Sequence, residues 1–155
     1  MKYPINVELI NRELDYYEEV MALHQEAVAY LKSFRWCKEI NRSHLYTNLG
    51  TVFCIFLFDL DNSASTKDNL LWVVVGDIPP MYLDTFGPRT TVEVVEDYVR
   101  LAEDWIGQVK IGESLDRCYP FKANATVQMA KLLERKISFM KNTLVANIDN
   151  IAIEG

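Results

Sequence analysis

The stretch "TVFCIFLFDLDNSASTKDNLLWVVVG", residues 51–76, decides the fold. Every position from Val52 to Phe58 is hydrophobic, and β-branched and aromatic residues dominate both there and in Leu70 to Val75. Such runs read as strands, here 51–60 and 70–76. Only the polar, turn-rich residues 61 to 69 separate them. Parallel neighbours need a crossover of about a dozen residues or more, so the spacing predicts an antiparallel hairpin. A strand that is hydrophobic at every position must be covered on both faces. Helices of this chain can supply that cover, and so can a second subunit; the reading favours a homodimer.

Working outward, Ile10, Leu14, Tyr17, Met21, His24, Val28 and Leu31 recur at helical spacing, which predicts one long amphipathic helix over about residues 7 to 35, with room for one break. Its other face carries Glu8, Glu13, Glu18, Glu19 and Glu26. Residues 36 to 41 allow a short, polar third strand. The stretch that follows is rich in turn formers (Asn41, Ser43, Asn48, Gly50). Pro79-Pro80 and Gly87-Pro88 bound a loop whose Met81, Tyr82, Leu83 and Phe86 should pack on the core.

Thr90 with Glu93 forms a capping box opening a helix through Val92, Val95, Val99, Ala102 and Ile106, ending near Gly107. A last helix begins after Asn124 and carries Val127, Ala130, Leu133, Ile137, Met140 and Leu144. Nothing in the composition divides the chain. The expected fold is α+β in a single domain, 1–155: a small antiparallel sheet packed against three amphipathic helices.

Half of the 155 residues are hydrophobic, a quarter are charged, and the net charge is −6. That balance argues against whole-chain disorder. Basic residues are scattered except for Lys131, Arg135, Lys136 and Lys141, so a nucleic-acid face is not expected. Cys37, Cys54 and Cys118 are odd in number and lack C-x-x-C spacing, which suits a reduced, cytoplasmic protein with neither disulfides nor zinc. Cys54 should be a buried thiol. The N-terminus turns polar too early for a signal peptide, and no run reaches a membrane span.

The run "FLFDLDNSAST" places Asp59 and Asp61 where a buried strand ends, and "VVVGD" places Asp77 at the end of the next. The first of these resembles the opening motif of the haloacid dehalogenase superfamily. That resemblance implies Asp59 as phosphoryl nucleophile, Asp61 as acid–base, and a magnesium ion held between carboxylates, with Asp77 imitating a later acidic motif. It covers about a dozen residues. Asn62-Ser63 stands where the family has Gly-Thr, and the short 61–69 connection conflicts with the family's parallel sheet. In a hairpin, Asp59 and Asp77 fall roughly 20 Å apart. Asp59 and Asp61 are better read as polar ends of a buried strand.

Gly76-Asp77-Ile78-Pro79-Pro80 reads as a rigid exit from the sheet. Read functionally, it is the rim of a pocket in which Asp77, Tyr82 and Phe86 contact a ligand or partner. His24 lies on an apolar stripe, as a packed histidine does, and His44 stands alone in a polar connection. Cys118 has no neighbour that would lower its thiol pKa. Trp36, Trp72 and Trp105 are expected in the core. No metal site and no cofactor is expected, and no catalytic constellation is visible. The expected role is a non-enzymatic protein-interaction module of the bacterial cytoplasm, an acidic immunity-type or adaptor protein with a basic protein partner. The alternative is a small-molecule-binding protein or enzyme with its site in the 76–88 loop.

Overall fold

A computed structural model describes residues 2–49 and 52–153, the side chains of residues 143–145 excepted. Gly50, Thr51 and the Leu144 side chain, read above as turn, strand start and helix stripe, lie outside the described residues. The fold is α+β, built on one five-stranded antiparallel sheet. Its strands β1 (Ile5–Asn6), β2 (Cys37–Asn48), β3 (Phe53–Asn62), β4 (Leu70–Gly76) and β5 (Ile78–Asp84) lie side by side in chain order.

The hairpin is the centre of the sheet. β3 pairs antiparallel with β4, from Phe53 opposite Gly76 to Asp59 opposite Leu70. Its residues alternate between two cores. Cys54, Phe56 and Phe58 are buried with Leu45, Val73 and Val75 beneath α1 (Tyr17–Lys32), where Ala27 and Leu31 meet them. Ile55, Leu57, Trp72 and Val74 are buried on the opposite face. They pack with Tyr98 and Trp105 of α2 (Thr91–Ile111) and Leu133 of α3 (Val127–Phe139). Each such aliphatic or aromatic side chain contributes about 1.5–3 kcal/mol on leaving water. The demand that both faces be covered is thus met by helices of the chain itself.

Several elements differ from expectation. The first is the N-terminal helix, which starts at Tyr17 and not near residue 7. Residues before it form β1 and a 3-10 turn, Val7–Leu9. Asn6 and Asn11 accept from the backbone N–H groups of Glu8 and Glu13, closing local turns that compete with helix. Tyr16, in the left-handed region at φ 60°, ends the helix on its N-terminal side. Ile10 and Leu14 keep the apolar rhythm because they enter the same core as Val20 and Leu31.

The second is β2, which extends well past residue 41 with three irregularities in its pairing to β3. It reads as polar because β1 pairs with it only at His44 and Leu45, leaving much of its length as sheet edge. The third is the 78–84 segment, an edge strand rather than a loop. Prolines are tolerated there because β5 is an edge strand and its pairing to β4 is interrupted at Pro79-Pro80, where no ladder N–H is needed. The α2 helix also runs past Gly107 to Ile111, where Gly112 caps it at φ 70°. Thr90 accepts from the Glu93 N–H at its start. Thr126 does the same for α3, accepting from Met129. Among the described residues no helix is long and apolar enough to cross a membrane.

Candidate functional site

Asp77, Tyr82 and Phe86 do not converge. Asp77 occupies the turn between β4 and β5, exposed, with its carboxylate 3.1 Å from the Lys136 amine. Phe86 lies beyond the other end of β5, itself seven residues long, and is 69% exposed. At about 3.4 Å per residue that strand alone separates them by roughly 20 Å. Tyr82, between them, belongs to an aromatic belt on the α1 side of the sheet.

That belt runs from the end of α1, through the connection that leads into β2, to β5. Phe34 stacks on Trp36 at a centroid distance of 5.1 Å, and both rings stand 5.1 Å from Tyr82. At one end Lys122 sits 5.1 Å over the Tyr30 ring and 5.6 Å over Phe34, donating to the Ser33 hydroxyl. The belt therefore already holds one ammonium by its π faces. At the other end Trp36 and Tyr82 wall an open cavity of about 280 Å³, completed by Asn62, Asp68, Leu71 and Asp84. Neither Asp68 nor Asp84 is in an ion pair with a lysine or arginine among the described residues. Burial, and next the charge of Asp68, push the Tyr82 phenol above its usual pKa.

The cavity is preorganised by the connection between β3 and β4. Asn62 is its hub: its side chain accepts from Ala64 and Ser65 and donates to the Asp68 carbonyl. Asn69 returns a bond to the Asn62 N–H, and Ser63 donates to the Trp36 carbonyl. On the far rim one Asp84 oxygen accepts from the N–H groups of Phe86 and Gly87. That arrangement fixes the carboxylate and leaves its second oxygen for a ligand. Aromatic walls and two carboxylates in one lining have the chemistry that suits a cation, such as an ammonium or guanidinium group.

The remaining sequence candidates sit elsewhere. Asp59 pairs with Arg42 at 3.1 Å, and Asp61 accepts from Asn41. Asp59 lies opposite Leu70, at the start of β4, whereas Asp77 follows its end. The roughly 20 Å between those ends is too far for one magnesium to bridge. Among the described residues no three His, Cys, Asp or Glu side chains gather as metal ligands. His24 is packed: its Nε2 is 2.8 Å from the Ser43 hydroxyl and its ring stacks on Phe58. His44 is on β2, in a shallow depression with Arg42 and Asp59.

All three cysteines are free thiols. Burial pushes Cys54 up to about 12. Cys118 is also raised, by burial and then by Asp104. Trp72 and Trp105 are core, but Trp36 is only half-buried and lines the cavity. The sequence offered one sign of this, the aromatic pair Phe34 and Trp36 beside the hinge into β2. No protein-family model, curated protein or solved structure gives a significant match to this chain.

Proposed function

We propose that this chain is a non-enzymatic interaction module of the immunity or adaptor type, which binds a basic segment of a partner protein. A lysine or arginine side chain of the partner lies against the exposed surface of the packed Trp36 and Tyr82 rings and meets Asp68 and Asp84. The observation that carries this reading is the pairing of rigid aromatic walls with two carboxylates that no cation of the described residues neutralises. The net charge of −6 would steer such a partner in. Free thiols, two of them buried, suit a reducing compartment such as the cytoplasm.

The test is a titration with a labelled arginine- and lysine-rich peptide, read by fluorescence anisotropy. Saturable binding that weakens with added salt is expected. Trp36→Ala and Asp68→Asn should each weaken it about threefold to thirtyfold. Equal binding of a glutamate-rich peptide, or variants indistinguishable from the parent, would sink the proposal. If free arginine binds as tightly as the peptide, the cavity is instead a small-molecule site.

A further inference from the structure

At the opposite end of β5 and on the other face of the sheet lies a separate cavity of about 270 Å³. The Gly76–Asp77 turn, the start of β3 and the end of α3 enclose it. Phe53 and Met140 form its buried floor, and Val52, Ile78 and Phe139 its apolar walls. Val52 and Phe139 remain substantially exposed there. Two cations stand at the rim. Lys136 is held by Asp77, while Arg135 is exposed and has no ion-pair partner among the described residues. At Met140 the α3 helix passes into a π-helical turn, Met140–Leu144, a local widening frequent at functional sites.

We propose that this cavity binds a small amphiphilic carboxylate. Its space accommodates about nine heavy atoms, at the roughly 30 Å³ that a water-sized group takes in a liquid. The apolar body lies on Val52, Ile78 and Phe139, and the carboxylate meets the Arg135 guanidinium, with Lys136 beside it. An amine would face that guanidinium and be repelled. The opposing carboxylate, Asp77, is already engaged by Lys136. A free ligand fits better than an anionic bilayer, because the cavity is concave and a chain of net charge −6 is repelled by such a surface.

The experiment titrates octanoate, octanol and octylammonium, each below its micellar range, into protein carrying 13C-labelled methyl groups. Octanoate is expected to shift the Met140, Val52 and Ile78 methyls saturably, with octanol weaker by about tenfold or more. Arg135→Gln should bring octanoate down to the level of octanol and leave octanol unchanged. That side chain is exposed and unpaired, and an unaltered thermal melt checks that the variant folds. Equal binding of octanol and octanoate, indifference to Arg135→Gln, absence of saturable shifts, or shifts seen only with anionic vesicles would each overturn the proposal. None of these outcomes bears on the Trp36–Tyr82 cavity, which shares no residue with this one.

Discussion

The Tyr119 hydroxyl accepts from the backbone N–H of Tyr82 at 2.9 Å and stands 3.3 Å from the carbonyl of the same residue, closing the outer edge of β5. A side chain thus does at one residue what a sixth strand would do. On the other face of the sheet, the Tyr98 hydroxyl donates to the Pro79 carbonyl at 2.7 Å. Pro80, two residues before Tyr82 on the same outward edge, has no N–H to offer. Tyr119→Phe keeps the ring but leaves the Tyr82 N–H and the Tyr30 hydroxyl without this partner. It should cost about 1–3 kcal/mol in urea unfolding, with an unchanged denaturant slope. An unchanged midpoint would mean that water satisfies this edge.

Buried acids make the fold sensitive to alkali. Burial raises the Tyr30, Tyr98 and Tyr119 phenols above their ordinary 10.0, and raises Cys54 from 9.0 to about 12. The unfolded chain therefore releases these protons first. Their contribution to stability is full below about pH 9 and falls as pH rises further. Urea midpoints should be level up to that point and then drop, with tyrosinate absorbance appearing together with unfolding. A gradual rise in that absorbance on the intact fold would show the phenols to be accessible.

His24 acts on the acid side. Burial lowers its pKa below 6.5, and its ring lies among Phe56, Phe58 and the Ser43 hydroxyl. Below about pH 6.5 the unfolded chain gains a proton that the folded chain resists, so stability is complete above that value and declines beneath it. Replacing both partners together, His24→Phe with Ser43→Ala, leaves neither polar group orphaned. The double variant should lose much of the fall in stability between about pH 7 and pH 5. A parallel decline in parent and variant would assign that slope to other groups.

The hairpin is legible because a run that is hydrophobic at every position, made of β-branched and aromatic residues, has few uses but a central strand. The chain start misleads for a physical reason. Ile10 and Leu14 keep helical spacing while plugging the α1 core from irregular backbone, so their periodicity reports burial, not helix. The β5 strand hides behind its prolines, because only the sheet context shows that no ladder donor is needed there. The cavity at Tyr82 is half legible. Tyr82 stands out as an aromatic residue just after two prolines, but Trp36 and Asp68 come from two connections and Asp84 from the end of β5, and they meet only through strand register. Asp77 and Phe86 are near Tyr82 in sequence, and the extension of β5 carries them away from it.

Gly76 is the position where the central hairpin tolerates least. Its φ is +152°, and a Cβ there would stand 2.3 Å from the Val52 carbonyl oxygen and 2.7 Å from the Phe53 Cα. Neither atom can recede. The Asp77 N–H donates to that Val52 carbonyl at 3.0 Å, and Phe53 is the ladder partner of Gly76 itself. Gly76→Ala should therefore cost about 2–4 kcal/mol, combining an unfavourable backbone region with a backbone clash. Gly107 supplies the matched control: it lies inside α2, where an added Cβ meets nothing within 4 Å. Gly107→Ala should stabilise by about 0.5–1 kcal/mol, because alanine has less backbone entropy to lose. Opposite signs in the two melting curves establish the close approach of the β4–β5 turn to β3, and equal effects would refute it.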